Sequence, residues 1–207
     1  MMRKTITAAV AGLALLTAPA AAFASDSATS TTSTGATATS TKPLHLRKGL
    51  TLTIPTSWKV YEQYKDWLRV VTGKCASLGT ELFGFRDSGC HSFWVMGPKA
   101  IKVGHEFFNA YTPDGPFYPA TDVGPCPYDE HLYIGQSKLA AKGLRQIGSG
   151  HKAYYRKWAG TCVTQTTFKV KGHYNQREWF LPTSKILIID QWDTPGLTSI
   201  LKNATWS

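Results

Sequence analysis

Apolar and polar positions alternate with the period of a β-strand along much of this chain. Leu50, Leu52 and Ile54 alternate with threonines, which predicts a strand with one buried face. Pro55 ends it and opens a turn. Short apolar runs predict further strands at 58–62, 67–72, 82–85 and 93–96. The first half of the chain therefore reads as consecutive short strands.

The stretch from His151 to Trp192 is expected to organise the remainder. It is rich in aromatic and β-branched residues and reads as three consecutive strands joined by short polar turns. Within it, Lys152–Trp158 should turn at Ala159-Gly160 and pair with Cys162–Lys171. Residues 186–189 are continuously apolar, as expected of a strand that is covered on both faces.

Two helices are expected. One spans 101–110, although Gly104 weakens it. The other closes the chain, with Asp193 or Thr194 as its N-cap and Pro195 in its first turn. Its apolar face carries Leu197, Ile200, Leu201 and Ala204 at helical spacing. Strands followed by a helix predict an α+β fold, a mainly antiparallel sheet with a C-terminal helix packed on it.

Two middle segments are less regular. Five prolines between residues 111 and 128 exclude both a helix and a central strand, because proline fixes φ and lacks a backbone donor. This proline-rich loop (111–128) must be held down by other parts of the chain. Residues 137–147 fit either a short helix or a strand.

The N-terminal residues have the layout of a secretory signal peptide. Arg3 and Lys4 precede an apolar run, and Ala22-Phe23-Ala24 supplies small residues at a cleavage site, which we place after Ala24. The apolar run is too short for a membrane-spanning helix. We therefore expect a signal peptide over 1–24, a disordered Ser/Thr-rich linker over 25–43 and one globular domain over 44–207. The mature chain would be secreted, with no transmembrane segment.

Four cysteines in an exported chain predict two disulfides. Of the three possible pairings we expect Cys75–Cys90, which closes a local loop, and Cys126–Cys162, which would fasten the proline-rich loop to the central sheet. The cysteine spacings do not resemble a zinc site, so we expect no metal. We expect no cofactor.

Two segments resemble known families. The pattern LTLTIPTSWKVY at 50–61 resembles the opening of Mog1/PsbP-like domains, where a strand ends in a proline turn and a tryptophan starts the next strand. The pattern REWFLPTSKILIIDQWDTPGLTSILKNATW at 177–206 is similar to the end of small exported actinobacterial proteins of unknown function. The resemblance implies an α/β/α-like sandwich and a binding or accessory role, and it carries no site residues.

Charge is unevenly distributed along the chain. The formal net charge is +10, although only 17% of residues are charged. No acidic residue lies between Glu130 and Glu178, where the basic residues are Lys138, Lys142, Arg145, Lys152, Arg156, Lys157, Lys169, Lys171 and Arg177. Aromatic residues are interleaved with them, and such a surface suits anionic polymers. The basic residues are equally typical of a plain solvated face, with the aromatic residues in the core.

The candidate binding residues are Lys152, Tyr154, Arg156, Lys157, Trp158, Lys169, Lys171 and Arg177. Lys157, Lys169 and Lys171 are expected to share one face, because alternate strand residues point the same way. The expected partner is an anionic cell-wall polymer or a lipid surface. Nucleic acid also suits the pattern, but export argues against it.

Catalytic motifs are weak. There is no GxSxG nucleophile motif. Asp190 and Asp193, near Glu178, could form a carboxylate pair for glycoside hydrolysis, although Asp193 is better explained as a helix cap. We therefore expect a monomeric exported binding or accessory module that is not an enzyme. The alternatives are an uncharacterised secreted hydrolase and an inhibitor-like factor that presents the proline-rich loop.

Overall fold

Two antiparallel sheets and two short helices make up the computed structural model, which describes residues 40–76, 78 and 88–207. The strands are β1 (Thr41–His45), β2 (Leu50–Pro55), β3 (Lys59–Tyr64), β4 (Trp67–Cys75), β5 (Cys90–Met96), β6 (Pro125–Cys126), β7 (Asp129–Gln146), β8 (Lys152–Val163), β9 (Val170–Leu181), β10 (Ile186–Asp190) and β11 (Thr205–Trp206). The helices are α1 (Pro98–Ile101) and α2 (Leu197–Lys202). The fold is thus mostly antiparallel β-sheet with a C-terminal helix, as predicted. The strand expected at 82–85 lies outside the described residues.

The larger sheet has eight strands in the order β3-β4-β5-β10-β9-β8-β7-β6, and the smaller has the order β1-β2-β11. Most neighbours in the larger sheet follow one another along the chain. The exception is β10, which lies between β5 and β9 and pairs with both. The stretch expected to organise the domain therefore forms the middle of the larger sheet.

The larger sheet buries apolar side chains on both faces. On one, which we call the small-sheet face, Val70, Phe93 and Trp179 pack with residues of β2 and α2. On the other, the loop face, Trp94 and Leu187 pack with α1 and with part of the proline-rich loop. β10 contributes to both clusters, and all five of its residues are buried. The prediction of a strand covered on both faces is confirmed.

The turn predicted at Ala159-Gly160 is wrong. β8 continues to Val163, the chain turns at 164–169, and β9 runs from Val170 to Leu181 without a break. Gly160 lies opposite Tyr174, and a Cβ atom at this position would overlap the Tyr174 ring. The glycine serves close packing between two strands rather than a turn.

The helix predicted at 101–110 is also wrong. α1 ends at Ile101, and Glu106 and Phe107 both have positive φ, which a helix does not allow. Gly104 is buried against Tyr111, where a Cβ atom would overlap the tyrosine backbone and side chain. The close approach of these two residues folds the segment back on itself. The ambiguous segment 137–147 is strand as far as Gln146, within β7.

The closing helix is confirmed, and its predicted cap is wrong. Leu197, Ile200, Leu201 and Ala204 all belong to the core on the small-sheet face. The helix begins only at Leu197, and its N-cap is Gly196, which makes no side-chain capping bond. Thr194 instead bonds to Asp190 through both its backbone amide and its hydroxyl. β11, which pairs with β2, was not predicted.

Both predicted disulfides, Cys75–Cys90 and Cys126–Cys162, are present. The second joins the proline-rich loop to β8, as expected. Within the described ranges, no helix has the length and apolar character needed to cross a membrane. The boundaries of the signal peptide, linker and domain stay predictions.

Candidate binding surface

The nine basic residues between Glu130 and Glu178 lie on three neighbouring strands and the β8–β9 turn. Of these nine, Arg177 alone forms an ion pair with a residue that the structure describes. The exposed ones are Lys138, Lys142, Arg145, Lys152, Lys169 and Lys171, and Arg156 and Lys157 are partly exposed. This part of the sheet therefore carries eight cations that no described carboxylate neutralises.

The candidate residues do not share one face of the sheet. Paired residues on neighbouring antiparallel strands point the same way. Arg156 is paired with Glu178, which lies on the loop face, whereas Lys157 is paired with Arg177 on the small-sheet face. Tyr154 and Lys152 alternate with Arg156 onto the loop face. The cations are thus divided between both faces.

Trp158 and Arg177 are held inside the protein. Trp158 is 5% exposed, and its indole N–H donates to Oε2 of Glu178 over 3.0 Å. The Arg177 guanidinium pairs with the buried Asp190 carboxylate and lies 3.4 Å from Asp193. The Trp158 indole is buried and the Arg177 charge is neutralised by Asp190, so both fall outside the surface that we consider below.

Lys169 and Lys171 lie at the far end of the β8–β9 hairpin. Lys171 and Arg177 are six positions apart on β9, which is about 20 Å in an extended strand. Lys169 lies in the turn itself, where its backbone amide donates to the Thr164 hydroxyl. Lys171 therefore lies far from Lys157 along the sheet, and the expectation that Lys157, Lys169 and Lys171 share one face stays a prediction.

Six cations converge on the two-stranded segment formed by residues 137–146 of β7 and 152–159 of β8, which we call the basic ribbon. They are Lys138, Lys142, Arg145, Lys152, Arg156 and Lys157. β6 pairs with β7 only at Asp129 and Tyr133, so no described strand covers the outer edge of 137–146. The ribbon is about 30 Å long and is accessible from two faces and one edge.

Apolar side chains lie among these cations. Leu139, Leu144 and Tyr154 are each about half exposed. The Arg145 guanidinium lies 4.9 Å from the centre of the Tyr155 ring, within cation–π range. The ribbon thus combines positive charge with ring and aliphatic surface, as a surface for an amphipathic anionic partner would.

A cleft of about 530 Å³ opens beside the ribbon, between the proline-rich loop and β7–β9. Its walls include Ser137 and Gln176 from the strands and Tyr118 and Asp122 from the loop. This volume is within the range of small-molecule sites. The buried Gln176 amide in these walls is already occupied, however, since its Nε2 donates to the Phe117 carbonyl and to Glu178.

Glu178 is the central polar residue of the loop face. From the sequence it was expected only to lie near Asp190 and Asp193. It is fully buried. Its Oε2 accepts from the Tyr111 hydroxyl at 2.8 Å and from Trp158, and its Oε1 accepts from the Phe117 amide and Gln176, both at 2.8 Å. Glu178 therefore holds the proline-rich loop on the sheet, together with the Cys126–Cys162 disulfide.

Burial raises the pKa of Glu178, and the four hydrogen bonds lower it only in part. Burial also raises the pKa of Tyr111, and the nearby Glu178 carboxylate raises it further. The one feature of the sequence that could have revealed the role of Glu178 is the alternation of side chains along β9. Tyr174, Gln176, Glu178 and Phe180 share a strand face, which places two polar groups between two aromatic rings.

The predicted carboxylate pair, Asp190 and Asp193, is bridged by the Arg177 guanidinium, and Glu178 lies apart from it. Glu178 lies on the loop face and Asp190 on the small-sheet face, where Arg177 neutralises it. Asp193 accepts from the Asn175 amide over 3.1 Å. Within 40–76, 78 and 88–207, no three His, Cys, Asp or Glu side chains are grouped to hold a metal ion.

Comparison with known proteins assigns no family. No protein-family model matches this sequence, and a search of curated proteins gives no match. The function is therefore inferred from the residues of this chain alone.

Proposed function

We propose that this chain is a secreted binding module that uses its basic ribbon to hold an anionic polymer of the cell envelope. The observation that carries the proposal is the set of six cations on the ribbon, none of which is paired with a described carboxylate. A salt bridge to a carboxylate would cancel much of the positive potential around a cation, and no described carboxylate forms one with these six.

The shape of the ribbon favours a flexible polymer over a flat partner. Lys142 and Arg156 face one way, and Arg145 and Lys157 face the other. A flat surface could touch one of these faces at a time. A flexible polyanion can follow the open β7 edge and reach cations on both faces, and the exposed backbone amides of that edge supply further donors.

The expected export of this chain supports a partner in the cell envelope. The first 24 residues have the layout of a signal peptide, and two disulfides suit an oxidising compartment. We further propose that the module acts as a monomer. The bulge between Leu139 and Ala141 and the lysines of β7 keep its open edge from pairing with a second copy. A solution mass of two chains by light scattering would contradict this.

The resemblance to Mog1/PsbP-like domains, with its α/β/α-like sandwich, stays a prediction. Of the alternatives, a hydrolase has the cleft as its best location. His105 lines it, but the His105 Nε2 atom accepts from the Thr112 amide over 2.8 Å, which occupies its basic lone pair. An inhibitor would present the proline-rich loop, yet the interior of that loop is turned inward onto Glu178.

The test is binding to isolated wall teichoic acid, a poly(polyol phosphate), across a salt series. A ribbon variant carries Lys138→Gln, Lys142→Gln and Lys152→Gln. A matched control carries Lys59→Gln, Lys65→Gln and Lys99→Gln, three exposed lysines that lie elsewhere. Each cation in contact with a phosphate contributes about 1 kcal/mol in water.

The ribbon variant should therefore bind at least about tenfold more weakly, and the control variant should bind within about threefold of the parent. Binding of the parent should weaken between about 0.05 and about 0.5 M salt. Equal losses in the two variants, or binding that does not respond to salt, would overturn the proposal.

A further inference from the structure

The tip of the β8–β9 hairpin, residues 164–171, is a separate surface of distinct chemistry. Phe168 is 69% exposed and Val170 is 47% exposed. Lys169 and Lys171 alternate with them and are also exposed. Two apolar side chains and two cations are thus exposed at the end of one hairpin.

Hydrogen bonds within the turn stabilise the tip. The Phe168 amide donates to the Thr164 carbonyl, and the Thr164 amide donates to the Lys169 carbonyl, both over 3.0 Å. The Thr164 and Thr167 hydroxyls bond to each other over 2.7 Å. Next to the tip, Cys162 is joined by its disulfide to the proline-rich loop. The Phe168 ring therefore belongs to a turn that hydrogen bonds and a neighbouring disulfide stabilise.

Phe168 has an unusual backbone conformation. Its φ is 52°, in the left-handed region that bulky residues avoid. Glycine or asparagine would be favoured at this position, and burial of the exposed ring does not offset the strain. Strain of this kind at an exposed position often accompanies a functional role for the side chain.

We infer that the hairpin tip inserts into the interfacial region of an anionic lipid bilayer. Phe168 and Val170 would enter among the lipid headgroups, and Lys169 and Lys171 would pair with phosphates, as aromatic and lysine side chains do at membrane interfaces. The patch is too small for a stable protein interface, which needs about 800 Å² from each partner. A bilayer requires no such area, because a few inserted side chains suffice for reversible binding.

This inference goes beyond the proposed polymer binding and uses other residues. The ribbon cations lie on β7 and on 152–159 of β8, away from the tip. A module with both surfaces would hold a wall polymer close to the membrane. Each activity can fail without the other.

The test is co-sedimentation with vesicles of equal parts phosphatidylcholine and phosphatidylglycerol. Phe168→Ser should weaken binding about tenfold, the loss expected when a phenyl ring no longer leaves water. The matched control is Phe108→Ser, since Phe108 is 74% exposed and lies on another loop. It should bind within about twofold of the parent, and Phe168→Trp should bind as the parent does.

The lysines are tested by a second matched pair. Lys169→Gln with Lys171→Gln should weaken vesicle binding roughly fivefold or more, and Lys138→Gln with Lys142→Gln, which removes the same charge from the ribbon, should weaken it less. Phe168→Gly is the check on folding, because glycine suits the left-handed conformation and should raise the melting temperature while vesicle binding falls.

The inference is overturned if Phe168→Ser or Phe168→Gly binds vesicles as the parent does, or if Phe108→Ser loses as much. It is equally overturned if the ribbon pair loses more vesicle binding than the tip pair. Teichoic acid binding should be unchanged in Phe168→Ser, so a failure of the polymer proposal would be seen in a different assay.

Discussion

Removing one hydroxyl, in Tyr111→Phe, should destabilise the domain measurably. The Tyr111 hydroxyl donates to the buried Glu178 carboxylate over 2.8 Å, and the ring packs against Phe117 and Phe180. Phenylalanine preserves the ring and its contacts. The variant therefore changes one hydrogen bond at the point where the proline-rich loop joins the sheet.

Hydrogen bonds to charged groups contribute about 1.5–3 kcal/mol, so we expect a loss of about 2 kcal/mol in the free energy of unfolding at neutral pH. For a chain of this size that corresponds to a fall of roughly 4–8 °C in melting temperature. Local opening of the loop should also increase, because one of its two Glu178 contacts is lost.

The loss should depend on pH in a defined direction. Burial raises the pKa of Glu178 above its ordinary value, so the folded state holds this proton more tightly than the unfolded chain does. Stability from this group is full below the ordinary glutamate pKa and falls as the pH rises towards the folded value. The Tyr111 bond lowers the pKa of Glu178. Without it that pKa rises further, and the gap between parent and variant widens from acid to neutral pH.

Denaturant unfolding of the oxidised protein at several pH values measures this gap. The control is Tyr154→Phe, since Tyr154 is about half exposed and lies outside the Glu178 cluster; it should change stability by less than about 0.5 kcal/mol. A Tyr111→Phe loss no larger than that of the control would refute the role of Glu178 as the anchor of the loop. A gap that narrows towards neutral pH would refute the inference that the Tyr111 bond lowers the pKa of Glu178.

Two further predictions concern the β8–β9 region. Gly160→Ala should cost about 1–3 kcal/mol in denaturant unfolding, because its Cβ atom would overlap the Tyr174 ring. The control is Gly172→Ala on β9, where an added Cβ atom would lie in ordinary contact, 3.5 Å from the Cβ atom of Cys162; equal losses would show that the Tyr174 ring is not responsible. Replacing Cys126 and Cys162 together by alanine should cost about 4 kcal/mol for a bridge with a sequence separation of 36 and should speed proteolysis within the proline-rich loop; an unchanged cleavage rate would show that the Glu178 contacts alone hold that loop.

The sequence correctly predicted those structural features that depend on residues close together in the chain. The alternation of Leu50, Leu52 and Ile54 predicted a half-buried strand, and the continuous run of β10 predicted burial on two faces. The disulfide pairing could be reasoned because a loop with five prolines needs a fastening. The apolar stripe of α2 was visible for the same reason, since helical spacing is a property of the segment itself.

Features that depend on distant partners were missed. Gly160 resembles a turn residue in sequence, and only the position of Tyr174, fourteen residues later, reveals its packing role. Glu178 looked like one acidic residue among several, because its four donors come from three separate segments. The division of the cations between two faces followed from strand register, which a misplaced turn had obscured. Asp193 lost its predicted role because the helix begins four residues later, at Leu197.

The smaller sheet has a consequence for the order of assembly. Its central strand, β2, is synthesised early, yet one of its two neighbours is β11, formed by Thr205 and Trp206 near the end of the chain. The burial of Leu50, Leu52 and Ile54 is therefore complete only after α2 and β11 have formed. Such distant pairing slows folding and leaves the nascent apolar strand open to wrong partners. The domain can therefore complete this core only after Thr205 and Trp206 have been synthesised.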